Sequence, residues 1–159
     1  MPNTPASNAN SIGHYFSGYA DGEGSFCISF SPRPKLRTSL EVRPSFSVSQ
    51  NGNRQEALYL FKEFLGCGTI RRNPSDRTFK HETRSINDLI GKVIPDFKKY
   101  PLLSSKQKDF EMFVLICEMI SQGNHLNKNG LKEIVEISYK MNGFGARRYK
   151  KQELLLRIR

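Results

Sequence analysis

The chain has 159 residues and carries 25 Lys and Arg against 15 Asp and Glu, a net charge of +10. That length predicts about one domain, and a mean hydropathy of −0.54 without any long apolar run argues against a transmembrane helix. A pI near 9.7 is the electrostatic footprint of a protein that meets phosphate backbones, so a polyanionic partner is expected rather than a membrane.

Residues 1–10 have neither the basic start nor the apolar stretch of a signal peptide. They predict a short disordered arm and a protein that stays in the compartment where it is made. The first helix is expected from about Ser11 to Asp21, where Ile12, Tyr15, Phe16, Tyr19 and Ala20 recur at helical spacing, until Gly22 and Gly24 end it. A hairpin follows. Phe26, Ile28 and Phe30 alternate with polar neighbours, residues 32–38 form a basic loop, and Leu40, Val42, Phe46 and Val48 share one face of the return strand. Pro44 falls on that apolar face and predicts an edge position or a bulge. Residues 54–65 read as an amphipathic helix closed by Gly66, and residues 68–73 and 78–84 as a second hairpin. Helices are then expected over residues 86–99, 105–121 and 131–141, and a basic tail over 143–159. The fold class predicted is α+β, with one domain over residues 11–142: an antiparallel sheet, helices on one face and a polar, basic face left open.

Cys27, Cys67 and Cys117 are odd in number and scattered without CxxC spacing, which argues for reduced thiols and against a disulfide frame or a zinc site. His14, His81 and His125 are isolated, and no phosphate-binding loop, nucleophile elbow or zinc-protease motif is present. What remains is Phe16-Ser17-Gly18-Tyr19-Ala20-Asp21-Gly22-Glu23-Gly24. Gly18 and Gly22, four residues apart, leave a groove on one helix face where a second backbone can pack closely. Glu23, between glycines at the helix end, offers a hard oxygen donor suited to Mg²⁺. One carboxylate binds Mg²⁺ poorly, but two such helices packed about a two-fold axis bring two Glu23 side chains together. A surface glutamate in a Gly-rich turn fits the same residues.

This nine-residue segment resembles the LAGLIDADG motif of homing endonucleases, and the order of elements is similar to that family's αββαββα core. Gly18, Asp21, Gly22 and Gly24 match directly, and Glu23 stands where the family has its metal-binding acid. Phe46-Ser47-Val48-Ser49-Gln50 resembles the strand end carrying an active-site glutamine, and Ser105-Lys106-Gln107-Lys108 the segment carrying an active-site lysine. The resemblance implies Glu23 and the Gly22 carbonyl as ligands of Mg²⁺ or another divalent cation, with Glu23, Gln50 and Lys106 as the catalytic set. Gln50 would position solvent and Lys106 would offset developing negative charge, whereas Asp21 braces the helix. A single motif implies a homodimer joined through Ile12, Tyr15, Phe16, Gly18, Tyr19 and Asp21, acting on double-stranded DNA at a long pseudo-palindromic site.

The sheet would form a saddle for DNA, since a β-ribbon fits the major groove. Strand parity aims Cys27, Ser29, Glu41, Arg43, Ser45 and Ser47 at it, with Thr69, Arg71 and Asn73 from the second hairpin. If Phe79 is core, Lys80, Glu82 and Arg84 join them. Arg33, Lys35 and Arg37 in the first loop, together with Arg54 and Lys108, are further expected contacts. The implied activity is metal-dependent phosphodiester hydrolysis giving a staggered double-strand break. By analogy the protein is intron-encoded and intracellular, in a prokaryotic cytoplasm or the organelle that encodes it. The alternative is an RNA maturase with intron RNA as partner, or a DNA binder of the same fold that does not cleave.

Overall fold

A computed structural model describes residues 5–143 and 145–159. In chain order the elements are α1 (Pro5–Glu23), β1 (Gly24–Pro32), β2 (Leu40–Asn51), α2 (Glu56–Leu65), β3 (Thr69–Arg72), β4 (Thr78–Thr83), α3 (Ile86–Asp88), a π-helical turn (Leu89–Val93), α4 (Ile94–Lys99), α5 (Lys106–Ser121), α6 (Lys128–Ser138) and α7 (Lys151–Arg157). The strands form one sheet in the order β1-β2-β4-β3. Pairing of β2 with β4 is antiparallel from Phe46 opposite Thr83 to Asn51 opposite Thr78, and β3 joins the far side with Thr69 opposite Glu82. Pro44 lies two residues beyond the end of the β2/β4 ladder, where its missing N–H costs no bond to β4.

One expectation at the N-terminus is corrected, and the structure adds detail at the C-terminus. Residues 1–4 of the expected arm lie outside the described residues, and residues 5–10 are the first turns of α1. Pro5 opens that helix because its fixed φ suits the first helical position, where an N–H would go unpaired anyway. The basic tail is folded as well. Leu154 and Ile158 are buried, and the Arg147 guanidinium lies 4.3 Å from the Tyr139 ring while donating to the carbonyls of Ser138 and Met141, both at 2.6 Å.

Contacts group the chain into two compact units, Met1–Ser25 with Phe46–Gln107 and Phe26–Ser45 with Lys108–Arg159, where the sequence predicts a single domain. In the first unit, Phe16, Phe46, Phe61 and Phe97 are buried and their rings meet, Phe16 on Phe61 at 4.8 Å and Phe46 on Phe97 at 5.2 Å. In the second, Phe26 packs between Phe110 and Phe113 at 5.2 and 5.3 Å, with Leu131, Ile134 and Leu154 also buried. The π-helical turn has a local cause. Pro95 cannot donate to the carbonyl four residues back and its ring crowds it, so the helix widens and the Ile94 N–H bonds the Leu89 carbonyl five residues back.

Candidate active site

The site is built at the C-terminal end of α1. Three glycines inside this helix give it poor intrinsic propensity, so packing must hold it. Phe16, Ser17 and Ala20 face inward, and the Ser17 hydroxyl donates to the Tyr100 carbonyl at 2.6 Å. At Gly24 a β-carbon would sit 2.6 Å from the Ala20 carbonyl oxygen, so the turn into β1 tolerates nothing larger. Gly18 and Gly22 differ: a β-carbon at either would meet nothing within 4 Å among the described residues, whose packing does not require glycine there.

Asp21 and Glu23 leave this helix end in different states. The Asp21 carboxylate accepts from the Leu103 amide (3.1 Å), the Ser104 amide (2.9 Å) and the Ser104 hydroxyl. Partial burial pushes its pKa up, but these bonds and the Lys106 charge outweigh burial and hold it below the ordinary aspartate value. Glu23 is exposed. Lys106, the first residue of α5, turns its ammonium onto the end of α1, donating to the carbonyls of Ala20 (3.1 Å), Asp21 (2.8 Å) and Gly24 (2.7 Å). A cation is favoured at a helix C-terminus, where carbonyls lack intrahelical partners. The Gly22 carbonyl is not among those three acceptors.

Gln50 is also fixed. Its Nε2 donates to the Tyr19 hydroxyl at 2.8 Å, and its Oε1 accepts from the Asn51 amide at 3.0 Å. Burial raises the Tyr19 pKa; the Gln50 bond opposes this, and the Glu23 and Tyr15 charges add to it. Tyr19 and Glu23 are four residues apart and share a helix face, so Gln50, Tyr19 and Glu23 form one neighbourhood. The donors fit a hard divalent cation in kind but not in number. Among the described residues no group of three or more His, Cys, Asp or Glu could hold a metal ion. One Glu23 with a main-chain carbonyl offers fewer donors than such a cation takes.

Two members of the predicted helix interface are turned to their own chain. Phe16 is 3% exposed because Phe61 and Phe64 enclose it, and the Asp21 carboxylate is committed to Leu103 and Ser104. Ile12 and Tyr15 remain exposed, as does Gly18.

Residues expected to face DNA fall into both units. In the second, Ser29 is exposed and Cys27 half-buried on the outward parity of β1, and Arg33, Lys35 and Arg37 are exposed in the loop. Glu41 pairs there with Arg33 and Arg43, both at 2.9 Å. Ser45 is half-buried, and Lys108 is exposed on α5. In the first unit, Arg54, Thr69 and Arg71 are exposed. The Asn73 side-chain oxygen accepts from the Ser75 amide and hydroxyl, so it shapes the hairpin turn. On β4, whose facing the sequence left open, Phe79 is half-buried and His81 buried, and Lys80, Glu82 and Arg84 take the opposite parity. Ser47 and Glu82 are nonetheless buried.

A family model for the LAGLIDADG endonuclease matches residues 16–117. The chain belongs to this family. The probable intron-encoded endonuclease 2 of Neurospora crassa is 27% identical over 129 residues, which is 80% of this chain and 28% of that protein. The chain thus spans about a quarter of that relative's length. The solved structure of the homing endonuclease I-TnaI is 33% identical with a TM-score of 0.85, covering 92% of this chain and 97% of that one. The LAGLIDADG endonuclease I-LtrWI, solved bound to its target DNA, is 33% identical with a TM-score of 0.87, covering 92% of this chain and 49% of that one. Among the described residues no helix is long and apolar enough to cross a membrane.

Within this LAGLIDADG chain, sequence reasoning missed Tyr19 as the anchor of Gln50 and Ser104 as the anchor of Asp21. The four-residue step from Tyr19 to Glu23 was a readable hint for the first. Nothing local signals the second, because the partners lie 83 residues apart.

Proposed function

We propose that the chain is a site-specific homing endonuclease that works as a homodimer on double-stranded DNA. Its reaction is divalent-metal-dependent hydrolysis that leaves a staggered double-strand break at a long pseudo-palindromic site. The observation that carries this is the end of α1: an exposed Glu23 beside a Lys106 ammonium held on three carbonyls, with Gln50 anchored through Tyr19. Similarity to endonucleases and to a structure bound to target DNA supports it.

Each residue then has a distinct task. Glu23 and the Gly22 carbonyl hold half of a cation site, which a second copy completes. When bound, Mg²⁺ or another divalent ion lowers the pKa of water and neutralises charge on phosphate oxygens. Gln50 orients the attacking water, whose oxygen forms a bond to phosphorus as the bond to the leaving oxygen breaks. Lys106 supplies fixed positive charge to the phosphate as negative charge develops there. The open faces of Gly18 and Gly22 support pairing of two α1 helices, since glycine within a helix costs about 1 kcal/mol relative to alanine and nothing among the described residues demands it. The protein is intracellular, acting where its encoding DNA resides.

The test incubates purified protein with a randomised DNA library, with Mg²⁺ or with EDTA, and sequences the cut ends. Cutting at pseudo-palindromic sites only with metal is expected. Gly18→Leu should sediment as a monomer and lose cutting. Binding without cutting would favour the maturase or binder, and a dimeric Gly18→Leu would put the interface elsewhere.

A further inference from the structure

Glu82 lies on the outward parity of β4, between Thr69 of β3 and Ser47 of β2. A glutamate there should reach solvent, yet its side chain is only 8% exposed. Three cations cover it. Arg71 Nη2 lies 3.3 Å from Oε2, Arg84 Nε lies 3.0 Å from Oε2 with its Nη2 3.3 Å from Oε1, and Lys80 Nζ lies 3.4 Å from Oε1. These cations are 63%, 55% and 46% exposed. The carboxylate is thus shielded while its partners stay open.

A carboxylate has about four acceptor positions, two on each oxygen. Here each oxygen already faces two cationic nitrogens, so accepting from a cytosine amino group would mean displacing one of them. The cations gain what long side chains on a sheet surface otherwise lack, a fixed station. Free lysine and arginine side chains carry substantial rotamer entropy, whose loss ordering on DNA would otherwise incur. Arginine fixed in this way suits two-point recognition of guanine O6 and N7 in the major groove, and lysine serves the same edge.

We infer that Glu82 is a positioning residue that holds Arg71, Lys80 and Arg84 for reading guanine edges and itself contacts no base. This rests on the DNA-binding function proposed above, and it replaces the expectation that Glu82 is a direct contact.

The test selects binding sites from a randomised DNA library with the full chain and with Glu82→Gln, and measures target and non-target affinity, salt dependence and melting temperature. Glu82→Gln should lose guanine preference at two or three positions together, and its target to non-target ratio should fall at least about tenfold. Affinity for non-target DNA should hold or rise, because a negative charge has been removed. Arg71→Met and Arg84→Met should each lose a part of the same set of positions, a result that stands even if Glu82→Gln fails to fold. Two results from a folded Glu82→Gln would overturn the inference: an unchanged base profile, or a new sharp preference at a single pair with guanine preference intact elsewhere. Arg71 and Arg84 variants that leave every position unchanged would overturn it too. A wild-type chain without any sequence preference would instead overturn the DNA reading on which the inference stands.

Discussion

Asp21 and Glu23 are two carboxylates two residues apart on one helix end, and the fold treats them in opposite ways. Asp21 is held by two amides and a hydroxyl from residues 103–104, so its charge is spent on fastening α1 to the segment that leads into α5. Glu23 is exposed, beside a lysine that the helix end has fixed in place. Asp96 is a third case: it is half-buried, and its Oδ2 is buried and unpartnered among the described residues. What separates the three is which donors surround each one. A carboxylate supplied with protein donors serves the fold, one left open is available to a ligand, and one with a buried, unpartnered oxygen is a liability.

Substitutions at the three positions should therefore separate cleanly. The largest effect is expected for Glu23→Gln, which should reduce cleavage about a thousandfold or more, the scale of losing several kcal/mol of metal-assisted stabilisation. Its DNA affinity should hold and its stability should stay within about 0.5 kcal/mol of the parent, as at other exposed positions. Gel cleavage assays and melting curves measure both. Asp21→Asn should show the reverse emphasis, losing about 1–2 kcal/mol of stability because charge-assisted bonds to Leu103 and Ser104 weaken. Since the folded pKa of Asp21 lies below its unfolded value, that stability is present at neutral pH and is lost as pH falls through the folded pKa. Parent and variant should thus converge in acid, which urea denaturation across pH would reveal.

Asp96→Asn should have the smallest effect and the opposite sign. Burial raises the Asp96 pKa to about 6, with the Lys99 charge opposing. The folded state then binds a proton that the unfolded state releases, so the parent loses stability as pH rises from about 4 to about 6. Asn lacks that titration. It should be more stable by about 1 kcal/mol above pH 6, a value discounted for partial exposure, and equal to the parent below pH 4.

Much of the fold was legible because most elements show a clear period, although α7 was read only as part of a basic tail. The parity of β1 and β2 assigns inward and outward residues correctly through Phe46 and fails at Ser47, which is buried, and Gly66 closes α2 with φ of +70° as a C-terminal glycine should. Asp21, Glu23, Gln50 and Lys106 were legible as residue types in order. Their partners were not, because Ser104 meets Asp21 and Tyr19 meets Gln50 only after the chain has folded. The same holds for Glu82. Its parity was readable, but its burial arises from cations on two strands and the following loop, which no local pattern encodes. In the other unit Glu41 has two arginine partners and remains 31% exposed, so pairing alone does not shield a carboxylate. Phe16 was placed at an interface because its spacing matches Ile12 and Tyr19, although that spacing equally describes the face that meets α2.

The most direct test of the division between Asp21 and Glu23 is a crystal structure of the chain with its selected DNA target and Mn²⁺, phased to show anomalous scattering from the metal. The account predicts a metal peak at ligand distance from the Glu23 carboxylate and the Gly22 carbonyl, shared with the same residues of a second copy, and no metal at Asp21. A metal held by Asp21, or cleavage in the crystal with no metal beside Glu23, would contradict it.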